Sequence, residues 1–347
     1  MRAGSWKASM FGFVLYCLSC SQATPPDVKT PDTTSNNFTW TTQTFGDGAS
    51  SALFDVAIVN DTLAFAVGGV YTNDTNGNLD SQPRNLAVWN GQNWRLQKLN
   101  YEGYPPVIRS IYAVSERNVW LDPWFHWDGQ SFSERNIDPL LIGVRINRMW
   151  GNSATLYVAG DNGFIGCYNG SSWQSIETNT ALPINDVWGA YDWQIGQWEI
   201  LAVASNKHQN LGKKMLWISA NAATAIVDSG LSWSLSSVYF VPGGNYYVVG
   251  DGEFEFSNLK STGVWQLWPS GKTTNFYSEQ IRGVGSNDIF IVGDYGEVVH
   301  YNGKRWVNFT SQTGFTVGYY LSVALRGNLA IAVGQSGNNA IAAIGRR

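Results

Sequence analysis

From Asn37 onward the chain is built of short apolar runs that stop at turn residues, and the runs come in sets. "LYVAGDNG" (156–163) is one of seven related segments. The others are "LAFAVGG" (63–69), "RNVWLDP" (117–123), "EILAVASN" (199–206), "YYVVGDGE" (246–253), "IFIVGDYG" (289–296) and "LAIAVGQSG" (329–337). Each follows a mixed apolar and polar segment: "LFDVAIVN", "IRSIYAVS", "INRMWGNS", "INDVWGAY", "LSSVYFVP", "IRGVGSND" and "YLSVALRG". Runs this short, rich in Val, Ile and aromatics and bounded by Gly, Asn and Asp, predict strands rather than helices. "FIGCY" (164–168) then supplies a third strand, and a fourth begins at Trp173.

A second pattern marks the junction of third and fourth strands. "CYNGSSW" (Cys167 to Trp173) returns as "WNGQNW" (Trp89 to Trp94), "HWDGQSF" (His126 to Phe132) and "YNGKRW" (Tyr301 to Trp306). Asn-Gly or Asp-Gly between aromatic residues predicts a hairpin, with a type I′ turn holding both central residues at positive φ. Forty-one positions separate Phe132 from Trp173, and Trp265 from Trp306. Between Trp173 and Trp265 there is room for one further unit, with "KMLWIS" as its third strand and "ATAIVD" as its fourth. Seven four-stranded meanders of about forty residues predict an all-β, seven-bladed β-propeller.

The last unit runs out of chain after three strands. "NNFTWTTQTF", just before the first meander, looks like a fourth strand without its own first three. The expectation is a ring closed by this N-terminal strand, which completes the last blade and removes the open sheet edges. The folded body is thus assigned to residues 37–347. Most of the aromatic residues are expected between neighbouring blades.

Composition fits a large aromatic-rich β protein: 17 Trp, 16 Tyr and 16 Phe, 37 Gly, and only 14% charged residues. A net charge of −4 with no basic run gives no reason to expect nucleic acid or an anionic membrane surface as partner. "MRAGSWKASMFGFVLYCLSCSQ" has early positive charges and a short apolar run, the layout of a signal peptide (1–19). Its end is similar to a bacterial lipobox with Cys20 as the lipidated residue, although Cys17 stands where Leu is usual. Cleavage without lipidation is the alternative. Residues 20–36, rich in Pro, Thr, Ser and Asp, are expected to be a disordered tether. Cys167 remains as a lone thiol, expected buried and inert.

Units such as "IFIVGDYGEVVHYNGKRW" resemble the repeats of secreted and surface bacterial propellers, in the broad group with kelch, WD-type and BNR/Asp-box repeats. The resemblance covers residues 37–347 and implies the fold. It implies little about function, since such rings host enzymes, lectins and scaffolds. The Ser-x-Asp lead-in of a full Asp-box is absent, so sialidase-type chemistry is not implied.

Candidate chemistry is confined to loops. With the usual propeller strand order, Asp122, Asp161, Asp251 and Asp294 share one face and form an acidic ring for a cation or sugar, unless they only shape turns. On the same face, Asp74, Asn76, Asn78 and Asp80 offer alternate oxygen ligands suited to calcium, though without the Gly and Glu of an EF-hand. No other cofactor is suggested. "GAYDWQIGQWEI" (Gly189 to Ile200) carries Trp193 and Trp198 in a loop where exposed aromatics could stack on sugars or fill protein pockets. His126, His208 and His300 fall in different units without metal-ligand spacing, and no phosphate loop or nucleophile elbow is visible. The expected function is a monomeric binding or scaffolding module for a protein or glycan, lipid-anchored at the bacterial cell envelope or secreted. The alternative is an extracytoplasmic glycan-active enzyme using loop carboxylates.

Overall fold

The computed structural model describes residues 33–347, except 220–221, 258, 260–262 and 269–273. The signal-peptide, Cys20 and most of the tether assignments lie outside the described residues. Seven four-stranded antiparallel sheets form the ring. The inner strands of blades 1 to 7 are, in order, Ala52–Asn60, Ile111–Ser115, Ile146–Gly151, Ile184–Asp192, Leu235–Phe240, Ser278–Gly285 and Gly318–Arg326. In blades 1 to 6 the second, third and fourth strands follow in sequence outward from the channel.

Blade 7 takes its outer strand from the N-terminus, as expected. Thr39–Phe45 runs antiparallel to Asn339–Arg346 in register along its whole length. The closing strand also grips both neighbouring blades. Phe38 and Trp40 pack edge-on against Phe290 of blade 6, at 5.1 and 5.8 Å between ring centres, and Phe45 meets Trp94 of blade 1. The body begins slightly before residue 37. Thr34 bonds Asn302 and Asn287 in blade 6, and Asn36 Oδ1 lies against Nδ1 of buried His300.

The repeated turns differ from the expected type I′ in one respect. Gly91, Gly129, Gly170 and Gly303 have positive φ, but Asn90, Asp128, Asn169 and Asn302 do not. Instead each Asn or Asp side-chain oxygen accepts the amide N–H groups two and three residues ahead, as Asn90 does from Gln92 and Asn93. The loop is therefore an Asx turn, in which the side chain rather than a left-handed Asn reverses the chain. The flanking aromatics face each other across the hairpin: Trp89 with Trp94, Trp127 with Phe132, Tyr168 with Trp173 and Tyr301 with Trp306, at 4.8–5.6 Å. Such cross-strand pairs stabilise the outer edge of each blade.

The inner strands carry a device that the repeat pattern alone does not announce. One polar side chain per blade occupies an equivalent buried position: Asp55, Ser110, Arg148, Asp186, Ser237, Gln280 and Ser322. In six blades the residue before it marks a slip in pairing register, a β-bulge. The bulged backbone comes so close to the second strand that a Cβ at Gly293 or Gly334 would collide with Tyr277 or Tyr319. This is the physical origin of the Gly in the "VGD" and "VGQ" segments.

These side chains stitch the blades together. Asp55 accepts the amide N–H of Ile111, Ser110 that of Met149, Asp186 that of Val238, Ser237 that of Ile281 and Gln280 that of Val323, each on the next blade, at 2.6–3.2 Å. Blades 7 and 3 break the pattern: Ser322 donates to Asp55, which takes the Val56 amide itself, and Arg148 has no acceptor. Its guanidinium instead pairs with Asp55 (2.5 Å) and approaches Asp186 (3.8 Å), while Arg282 takes Asp186 through a forked contact at 2.6 and 2.8 Å. Ser110 and Ser322 also donate to Asp55, and Ser237 to Asp186.

Two outcomes are expected. Trp40→Ala should cost about 3–5 kcal/mol, since it empties a large buried site in the closing strand. Deletion of residues 37–45 should cost more or cause aggregation; a denaturant midpoint matching that of the intact chain would refute closure by this strand. Asp186→Ala should cost about 3–5 kcal/mol because it leaves Arg282 buried without its carboxylate. Burial pushes the Asp186 carboxyl up, but the Arg282 and Arg148 charges outweigh it and hold the group below its ordinary 3.8. Its contribution is thus full above that value and lost as pH falls through the lower folded value. Urea midpoints of wild type and Asp186→Ala should converge in strong acid.

Candidate functional site

The bulges and the strand order give the ring two unlike faces. One, here the hairpin face, carries the turns between first and second strands and between third and fourth. The other, the crossover face, carries the second-to-third loops and the blade-to-blade connections. The acidic positions and the Tyr71–Arg84 insertion belong to the crossover face; Trp193 and Trp198 belong to the hairpin face.

On the hairpin face, blade 4 rises above the rest. Its first two strands, Ile184–Asp192 and Gln197–Ser205, are nine residues each and pair from Ile184 to Asp192. At the tip, Asp192 Oδ1 accepts the amides of Gln194 and Ile195, and Gly196 (φ +69°) lets the chain return. The tip therefore has a defined turn that presents Trp193, 87% exposed, beside Ile195, 53% exposed. Trp193 rests edge-on against Tyr191 at 4.6 Å. Trp198 plays a mixed part: it is 44% exposed, yet it packs against Trp150 of blade 3 at 5.4 Å and Tyr191 at 5.3 Å.

A groove of about 600 Å³ runs from this hairpin toward the axis. Ala190, Tyr191 and Trp193 form one wall; Phe240, Val241, Pro242 and Val284 form the other. Trp188 and Gly283 sit where the groove meets the channel mouth, a cavity of about 180 Å³ above the buried polar ring. Trp188 is held rigidly: its indole N–H donates to Phe240 O at 3.2 Å, and the Arg282 guanidinium lies over its ring at 4.9 Å. An exposed aromatic, an apolar cleft and a fixed Trp at its inner end make a surface suited to extended apolar ligands.

The acidic positions are less uniform than the sequence suggests. Asp122 is buried and accepts the amides of Arg109 and Ser110 at 2.9 Å; burial pushes its carboxyl up to about 7. It is a turn element, closed to ligands. Asp161 takes a hydrogen bond from Asn147 at the rim of the channel, and Asp251 is exposed. Burial, with Glu279 nearby, pushes half-buried Asp294 up to about 6. Glu279 itself is raised by burial but held down to about 2 by Lys207 (2.7 Å) and His208. The four aspartates thus occupy equivalent places in the repeat without forming one acidic ring.

The calcium reading of Tyr71–Arg84 fares poorly on geometry. Asp74 Oδ1 accepts the amides of Asn76 and Asn78, and Asp80 is taken by Lys98 at 2.6 Å and by the amide of Gln82. The carboxylates organise a turn and an ion pair instead of converging on a point, so these residues do not fit a calcium ion. Among the described residues no group of three His, Cys, Asp or Glu could hold a metal. Two of the histidines are structural partners. His126 and His300 occupy equivalent third-strand positions and contact Asn118 (2.9 Å) and Asp288 (2.7 Å), while Cys167 is buried and its thiol is pushed up by burial.

Sequence reasoning missed the inner-strand polar ring and the residues beside it. Its signal was present as an apolar-x-polar-apolar start in "LFDV", "IRSI", "INRM", "INDV" and "LSSV".

No family model matches the chain, and no curated protein matches it in sequence. Solved structures do resemble it. The chain superposes on one described as "YCF48 bound to D1 peptide" with a TM-score of 0.62 at 15% identity, covering 89% of this chain and 97% of that one. The "WD40 beta propeller domain of Doa1" gives 0.60 at 14% identity over 88% and 95%, and "YCF48 from Cyanidioschyzon merolae" gives 0.56 at 14% identity over 87% and 98%. At such identities the likeness establishes the fold, a seven-bladed β-propeller.

Proposed function

We propose that this protein is a binding scaffold whose hairpin face captures an extended apolar segment of a partner protein. The observation that carries the reading is the groove between the blade 4 hairpin and blades 5 and 6, with Trp193 at its outer end and Trp188 at its inner end. Its apolar walls are Ala190, Phe240, Val241, Pro242 and Val284, with Tyr191, Asp192, Gln194 and Tyr239 as the polar groups among them. Apolar side chains gain by burial against these walls, and the polar groups can pair with a peptide backbone. The wall chemistry suits an extended segment of a protein. A similar ring is described as bound to a peptide, which makes the use of this fold for peptide capture physically reasonable. The N-terminal sequence supports placing the scaffold outside the cytoplasm, held to a membrane through lipid on Cys20.

Selection of a random peptide library on immobilised protein should enrich extended apolar sequences. Trp193→Ala and Val284→Lys should each weaken their binding at least tenfold, with stability changed by no more than about 0.5 kcal/mol, as expected for exposed positions. Trp198→Ala should lower binding and stability together, because Trp198 also packs on Trp150. Enriched peptides that bind Trp193→Ala and Val284→Lys as well as wild type would refute the groove, and saturable binding on a glycan array would favour a sugar ligand.

The anchor has its own test. Expressed in a bacterial host with its full N-terminus, the chain should partition with membranes and incorporate labelled fatty acid, and Cys20→Ala should abolish both. Identical partitioning of Cys20→Ala would leave secretion without lipid.

A further inference from the structure

The channel mouth on the crossover face has a chemistry unlike that of the groove. A cavity of about 330 Å³ opens there, lined by the side chains at and before the bulges and by the loop Asn206 to Gln209. Four cations reach it: Arg109, Arg145, Arg148 and Lys207. Asp161 is the one carboxylate in its lining. Two of the cations are already committed. Arg148, at the floor and 8% exposed, pairs with Asp55 and approaches Asp186, and Lys207 pairs with Glu279.

Arg109 and Arg145 are not committed. Neither guanidinium has an ion pair or a hydrogen bond among the described residues. Arg109 is half-buried and lies over the Phe54 ring at 4.8 Å, which limits its freedom to swing into solvent. Burial pushes its guanidinium down, and the charge of Arg145 pushes in the same direction. Asp122 and Asp161 oppose this. Both of those carboxylates are engaged elsewhere: Asp122 by the amides of Arg109 and Ser110, and Asp161 by Asn147. Two like charges thus face one partly enclosed cavity, each with its full set of guanidinium donors free.

We infer that this mouth binds a compact oxyanion carrying at least two negative charges, a polycarboxylate or a phosphate, seated between Arg109 and Arg145. Guanidinium groups match both chemistries, because each can give two parallel N–H bonds to a pair of oxygens. The volume sets the size. At about 30 Å³ per water, the cavity holds on the order of ten waters, enough for a small metabolite-sized anion and too little for a folded partner. Arg148 below is balanced by Asp55 and Asp186, so Arg109 and Arg145 supply the free charge of the site. The site lies on the face opposite the peptide groove and does not depend on it.

Calorimetric titration of the full chain at low ionic strength, with citrate and inorganic phosphate in separate runs, tests the inference. At least one should bind saturably, and the comparison distinguishes the two sources of negative charge. Arg145→Gln should weaken that binding at least tenfold, and Arg109→Gln should weaken it further. Arg145 is exposed, so its replacement leaves the fold intact and decides the question even if Arg109→Gln fails to fold. Lys304→Gln, an exposed cation on the hairpin face, should bind as wild type does. The inference is overturned if neither anion binds, if Arg145→Gln binds like wild type, or if Lys304→Gln loses as much as Arg145→Gln.

Discussion

Everything in this ring depends on how one inner strand holds the next. Neighbouring blades pack face to face through apolar side chains, which fixes their spacing but leaves their vertical register free. The hydrogen bond from a buried inner-strand side chain to the amide of the following blade fixes that register. Five blades use it, with Asp55, Ser110, Asp186, Ser237 and Gln280 as acceptors. Each bond lies near the channel, where an unmade bond would leave a buried amide without partner. The position requires a side-chain oxygen that can reach the next strand's amide, which Ser, Asp and Gln all supply despite their different lengths.

Arg148 is the informative exception. A guanidinium cannot accept, so at the junction of blades 3 and 4 it forms ion pairs in place of the amide bond. Asp55 and Asp186 flank it, and Arg282 reaches across to Asp186. Four inner strands, those of blades 1, 3, 4 and 6, are thereby tied through charge where the local stitch is missing. Buried pairs contribute little net stability over apolar packing, but losing one partner is costly. The network makes the blades interdependent more than it makes them tight.

The repeat was legible because the same physics recurs: apolar second strands in all seven units, close-approach glycines in five and Asx turns in four. Closure was legible because Thr39–Phe45 has the pattern of an outer strand and no partners of its own. The sites were harder for a specific reason. Asp122, Asp161, Asp251 and Asp294 share a sequence position, but the turn buries the first while the third is exposed. Equal letters met unequal surroundings. Trp193 was readable because its hairpin exceeds the repeat. Arg109 and Arg145 were not, since they lie in the segments leading into two different blades and only the closed ring brings them to one mouth.

The bulge links architecture to function. Without it, strict alternation along an inner strand would send successive side chains to opposite faces of the sheet, and no blade could present two neighbouring residues to the channel region. With it, Phe54, Asn147 and Leu321 line the crossover mouth, while Asp55, Arg148 and Ser322, the next residues along, close the channel below. The same irregularity that supplies the stitching therefore divides the axis into two separate mouths. The hairpin mouth inherits the aromatic residues two positions further along, Tyr112 and Trp188, and is apolar above a polar floor. The crossover mouth inherits the bulged residues and the connections, which are free to be charged because they pack against no neighbouring strand. A chain that folds by repetition gains its asymmetry here, where the repeat constrains backbone position strictly and side-chain identity hardly at all.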